Sequence, residues 1–310
     1  MKFGRLDNLN GVKFNLPEDH PKNKALLAYK KKRRGRKPKD FVAPQASFYV
    51  GCPVWTCEAW KGKIYPEFLP ASKYFKHYAN QFNSIELNSS YYAIPEKKTI
   101  DKWKRNSPDT FRFCPKVHQY ISHSNMLKNV DVWIERFAVM CENFGDKLGT
   151  PFLQLHPIFA PEHMTRLNNF LKIWPNELPL AIELRNKAWY TSTDTFERVG
   201  DLLEEFRCTF VMTDTAGAQY ALHQRLTTKE IFVRFAANDL HFSDYARIDA
   251  WVKRMVEWYD MGLENVWFFI HQPDEVNCPE LAQYLIEKVN EQTELNVKPL
   301  TFHGQQGSLF

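Results

Sequence analysis

Leu180-Ala181-Ile182-Glu183-Leu184-Arg185 decides the architecture of this chain. Ile182 and Leu184 are apolar, and Glu183 and Arg185 are charged. Strand side chains alternate with period two, so the two charges share one face and the two aliphatics the other. The same pattern recurs in 83–88, where Glu86 and Asn88 alternate with Ile85 and Leu87, and in 151–156, where Gln154 and His156 alternate with Leu153 and Leu155. Working outward, eight short β-branched and aromatic runs stand out: 47–52, 83–88, 111–116, 151–156, 180–185, 208–213, 231–235 and 265–270. Amphipathic stretches separate them at 70–81, 96–105, 128–146, 163–174, 193–206 and 244–261, with another at 277–293. Only the sixth connection, 214–230, reads poorly as a helix. This alternation predicts an α/β protein of the (β/α)8 TIM-barrel type over 47–310. The alternative, a doubly wound open sheet, would carry a glycine-rich first turn; the chain has 12 glycines in 310 residues and no such turn.

Composition sets the outer limits. A hydrophobic fraction of 44% and a charged fraction of 25% are globular values. No apolar run reaches the roughly 18 residues of a membrane helix, and the start lacks a secretory apolar segment. Six cysteines without a Cys-x-x-Cys pair read as reduced, buried thiols of a cytoplasmic protein.

The formal charge of +5 is unevenly spread. Residues 1–46 hold 13 Lys/Arg against 4 Asp/Glu, whereas 47–310 hold 28 against 32. Residues 1–46 are therefore expected to be a basic N-terminal extension, disordered or extended, outside the barrel domain. Within it, Arg34-Gly35-Arg36-Lys37-Pro38 is similar to an AT-hook, with Arg34, Arg36 and Lys37 as contacts for DNA or RNA phosphates.

A barrel places its chemistry where its strands end. Polar residues gather there: Glu86 and Asn88, Lys116, Gln154 and His156, Glu183 and Arg185, Asp214, Arg234 and His271. Burying such charges costs several kcal/mol unless they pair or bind a ligand. Mutual pairing (Glu183 with Arg185 or Lys116, Glu86 with Arg234) accounts for any one of them; their concentration at one end predicts a pocket. Lys116, Arg185 and Arg234 form an anion clamp, and Asn88, Gln154, His123 and His271 are further substrate contacts. Glu183 is the principal acid/base candidate, with Asp214 or Glu86 as a second carboxylate. Trp55, Tyr92 and Trp189 follow strands and are candidates to stack on sugars or bases. A divalent metal on His156, Glu183, Asp214 and His271 is a minority reading, since no metal-ligand spacing supports it. Nothing points to an organic cofactor.

Taken together, several segments resemble the YecE-like family, domain of unknown function 72. They are Gly51-Cys52-Pro53-Val54-Trp55, the run 83–92 with Glu86 and Asn88, Phe111-Arg112-Phe113 with Lys116 and Ile121-Ser122-His123, Gln154-Leu155, Glu183-Leu184-Arg185 with Trp189, and Asp214-Thr215-Ala216-Gly217. The resemblance spans roughly 47–300 and implies a (β/α)8 barrel. It adds weight to Glu86, Asn88, Lys116, His123, Gln154, Glu183, Arg185, Asp214 and Arg234 as site residues, and it supplies no activity. Three places depart from the family pattern: Asn186-Lys187 replaces His-Pro, Ala236-Ala237 replaces His-Gly, and Ile270-His271 replaces an Asn pair.

The expectation is thus a barrel hydrolase or lyase for a phosphate- or sugar-containing substrate, nucleic acid included. The rivals are a nucleic-acid binder anchored by its tail and an anionic-metabolite binder without catalysis.

Overall fold

The computed structural model describes residues 4–28 and 47–303. Its strands are β1 (Ser47–Gly51), β2 (Ser84–Leu87), β3 (Arg112–Pro115), β4 (Phe152–Gln154), β5 (Ala181–Glu183), β6 (Thr209–Phe210), β7 (Met212–Asp214), β8 (Glu230–Ala236) and β9 (Asn265–His271). β6 and β7 are one extended stretch interrupted at Val211. All pairings are parallel: β1-β9-β8-β7, β2-β3 and β4-β5-β6. A few backbone bonds link these groups. Glu86 N donates to the Cys52 carbonyl at 3.2 Å, and Val117 N donates to the Phe152 carbonyl at 2.9 Å. β1 and β2 come so close that any side chain at Gly51 would strike the Ser84 carbonyl.

Between the strands lie α2 (Tyr74–Gln81), α3 (Ser89–Tyr92), α4 (Lys97–Arg105), α5 (Asp131–Phe144), α6 (Met164–Ile173), α7 (Thr193–Glu205) and α8 (Phe242–Met261); α9 (Cys278–Gln292) follows β9. Their ends have local causes. Ser192 caps α7 by accepting from Thr195 N, and α8 stops at Gly262, whose φ of +118° suits glycine. After β7 there is only a short 3₁₀ turn, Gln219–Ala221, as the sequence leads one to expect. No helix among the described residues is long and apolar enough to cross a membrane.

The apolar side chains form two separate clusters. A large one fills the space between strands and helices. A small one gathers Cys114, Phe152, Ala181, Val211, Phe232, Trp267 and Phe269 from alternate strand positions, with Tyr49 packed against it. Further along the same faces these residues give way to the polar side chains of the strand ends.

Residues 4–28 correct one expectation. They dock onto the body instead of forming a free tail. Gly217 N donates to the Gly4 carbonyl at 2.6 Å, and Phe14 covers the Arg247 guanidinium with its ring at 5.1 Å. Asn23, in the short α1 (Asn23–Leu27), donates to the Gln224 carbonyl at 2.6 Å and accepts from Leu226 N at 2.8 Å. His20 and Lys22 pair with Glu197 of α7, and Leu27 is buried. Paired polar groups thus hold a segment that a charge count alone leaves loose. Arg34, Arg36 and Lys37 lie outside the described residues.

Candidate functional site

The floor of the site is a buried ion cluster. Period-two alternation sends Glu86 of β2, Glu183 of β5 and Arg234 of β8 to one interior face. Arg234 donates Nε and Nη2 to the two oxygens of Glu86 at 2.9 and 2.8 Å, and Nη1 to Glu183 Oε2 at 2.7 Å. Burial alone would raise both carboxyls. At Glu86, Arg234 and His271 outweigh it and hold the group well below the usual range. At Glu183, Arg234 and Arg185 do so, helped by Gln154 and Lys116. Burial likewise lowers the Arg234 guanidinium, but the two carboxylates reverse this and raise it. Each carboxylate is further committed. Glu183 accepts from Gln154 Nε2 at 2.8 Å and Thr213 Oγ1 at 3.2 Å; Glu86 is bonded to His271 Nε2 at 3.0 Å and Asn88 Nδ2 at 3.0 Å.

Above this floor stands a half-buried rim. Lys116 donates to Gln154 Oε1 at 2.9 Å and sits 4.4 Å from the Tyr91 ring centre. Burial, then Arg234, push its amine down to about 8, against the opposing pull of Glu86 and Glu183. Arg185 Nε approaches Glu183 at 3.8 Å. His123, on a π-helical turn (Tyr120–Ser124), is bonded to Ser122 Oγ at 2.8 Å and meets the Tyr91 and His156 rings edge-on. Burial, with His156 and Lys116, pushes its imidazole down to about 4, so it is neutral at pH 7.

The structure thus brings together Glu86, Asn88, Lys116, His123, Gln154, His156, Glu183, Arg185, Arg234 and His271. Three cations face two carboxylates. A carboxylate with several donors and a lowered pKa is a poor proton acceptor. Lys116, with an amine near 8, can exchange a proton near neutral pH.

Other expected members stand apart. Asp214 points away: Thr213 occupies the interior face in register with Arg234, so its neighbour turns toward α8. There Arg247 Nη1 and Trp251 Nε1 take the Asp214 oxygens at 2.8 and 2.9 Å. Asp214 is a packing anchor, not a second carboxylate beside Glu183. Trp189 is fully buried and donates Nε1 to the Phe159 carbonyl at 2.7 Å, so it cannot stack on a ligand. Trp55 packs edge-on against Phe75 and Trp103 at a different cavity, of about 480 Å³. Tyr92 is exposed and touches Tyr91 edge-on. The minority metal set is dispersed: His156 meets His123, His271 meets Glu86, Glu183 meets Arg234, and Asp214 faces α8. Among the described residues no group of three or more metal-ligating side chains is placed to hold an ion. Sequence reading missed Thr213 as a site member; its register with Arg234 would reveal it.

Fold and site define a class: an α/β protein of consecutive parallel strands with a buried Glu-Arg-Glu cluster and a cationic rim at the strand ends. Within that class the chain belongs to the family described as protein of unknown function DUF72, which matches residues 49–304. It is similar to the UPF0759 protein YecE of Escherichia coli K12, with 24% identity over 281 residues, 84% of this chain and 99% of the relative. It is also similar to YunF of Bacillus subtilis, 26% identical over 46% of this chain and 52% of that relative. A solved DUF72 family protein of Enterococcus faecalis superimposes with a TM-score of 0.62 at 18% identity, covering 80% of this chain and 99% of that one. Another, from Thermotoga maritima, gives 0.59 at 22% identity over 79% and 99%. At these identities the structures speak for the fold alone.

Proposed function

We propose that the strands close into a (β/α)8 barrel and that the chain is a hydrolase or lyase acting at the strand ends on a phosphate- or sugar-containing substrate, nucleic acid included. The parallel pairing of sequential strands within each of the three sheets, the backbone bonds between sheets and the separate inner apolar cluster support closure. One observation carries the function. Lys116 and Arg185 stand at a solvent-reaching rim over two carboxylates already committed to Arg234, which leaves net positive charge for an anion. Lys116 is the proton-transfer group in this reading. Glu86 and Glu183 position Arg234, and Glu183 yields its role as principal acid/base to Lys116. Neutral His123 and Asn88 orient the substrate.

The test is a panel of phosphorylated sugars, nucleotides and short oligonucleotides, scored for binding and turnover with wild type and Lys116→Met. Turnover should fall roughly 100-fold or more in the variant while the fold is kept. The full engagement of both carboxylates favours a second reading, anion binding without catalysis. Binding without turnover across the panel would select it, and no binding at all would overturn both.

A further inference from the structure

Residues 4–28 lie outside the 49–304 region matched to the family, yet Arg5 shares a cleft with His271 of the candidate site. The Gly4 carbonyl accepts from Gly217 N at 2.6 Å and from Thr215 Oγ1 at 2.9 Å. The fit is close at both partners. Gly4 has φ +68° and no room for a side chain beside Thr215, and a Cβ on Gly217 would lie 2.8 Å from the Gly4 carbonyl oxygen. This clasp fixes the next residue. Arg5 lines a narrow cleft together with Thr215, Ala236, Asn238, His271 and Gln272. His271 is the side chain bonded to Glu86 on the site's floor. Arg5 is exposed, and no ion pair of its own holds it among the described residues. From the clasp the segment runs across α8, with Phe14 on Arg247 and Pro17 accepting from Arg254 at 3.3 Å, to the Asn23 anchor. A segment secured along its length pays little further ordering entropy to present one side chain.

We propose that residues 4–28 are a strap that completes the strand-end site, and that Arg5 is a specificity-determining contact for the anionic group of the substrate. This rests on the anion-binding reading of that site. Arg5 approaches from the β7–β9 side, whereas Lys116 and Arg185 belong to β3 and the end of β5, so a bound anion meets cations from two directions. Ala236 and Ala237 line the same cleft with small side chains; its free volume is only about 10 Å³, so an anion would meet Arg5 at the cleft's mouth and not within it.

Two measurements on the full chain separate the parts. Hydrogen exchange at the Gly217 amide tests the clasp. Deleting residues 1–10 should speed it at least about tenfold, and equal rates in the two proteins would overturn the strap. Titration with inorganic phosphate tests the cation, using wild type, Arg5→Ala, Arg5→Lys and Lys116→Gln. Arg5→Ala should weaken phosphate binding about fivefold, and Arg5→Lys should recover most of it. If Lys116→Gln weakens phosphate and Arg5→Ala does not, the role of Arg5 falls while the anion site stands. If wild type does not bind phosphate, the anion site falls, and the role of Arg5 with it.

Discussion

Arg234 grips Glu86 as a two-pronged pair, Nε to Oε2 at 2.9 Å and Nη2 to Oε1 at 2.8 Å, with both side chains buried. The third prong goes to Glu183. One guanidinium from β8 thereby locks carboxylates from β2 and β5. Such a cluster is costly to desolvate and adds little net stability over an apolar substitute. Its physical consequence is rigidity: the rim residues stand on a floor that cannot shift one member without unpairing another.

Removing the guanidinium should therefore be expensive. Arg234→Met leaves two buried carboxylates uncompensated, with an expected loss of about 3–5 kcal/mol. Urea unfolding of wild type and variant measures it. A loss below about 1 kcal/mol would mean the carboxylates reach water or take up protons at little cost.

Acid should undo the same cluster. Glu86 and Glu183 have folded-state pKa values below the ordinary 4.5. The unfolded chain therefore binds more protons in the interval below that value, and stability falls with falling pH there. Above it, the contribution is fully present. Glu183→Gln removes one titrating group and should flatten the slope of stability against pH below about 4.5, as read by thermal unfolding in a pH series. An unchanged slope would show that Glu183 does not titrate differently in the two states.

Asp214 gives the contrasting case. Its oxygens serve Arg247 and Trp251, and Phe235 and Phe14 lie over that guanidinium at 4.1 and 5.1 Å. Asp214→Asn should cost about 3–5 kcal/mol yet leave phosphate binding intact in the fraction that remains folded. Loss of binding with unchanged stability would return Asp214 to the site.

Why one aspartate was misread while two glutamates were not is a matter of register. In 83–88 and 180–185 the apolar and polar residues alternate cleanly, so the faces of Glu86 and Glu183 are legible. The stretch 208–214 has no such contrast, and the break at Val211 hides which of Thr213 and Asp214 turns inward. Position after a strand marks a loop but not exposure, which is why Trp189 looked available and is buried beneath Phe159. The docking of residues 4–28 was illegible for another reason. Asn23 finds its partners 201 and 203 residues away, and no apolar periodicity announces the contact. The proton affinity of Lys116 likewise depends on three strands meeting, which no local pattern encodes.

That affinity is the most discriminating quantity in the site. Burial and Arg234 lower the Lys116 amine to about 8, while Glu86 and Glu183 pull it back up. The two influences make opposite predictions for two variants. Glu183→Gln removes a negative charge and should lower the value further; Arg185→Gln removes a positive one and should raise it. Carbon-13 NMR of dimethylated lysines follows the titration directly, with solvated lysines near 10.4 as the internal reference. A Lys116 signal that titrates with the solvated lysines in all three proteins would mean the amine stands in water. It could then serve as a surface cation but not as the proton-transfer group.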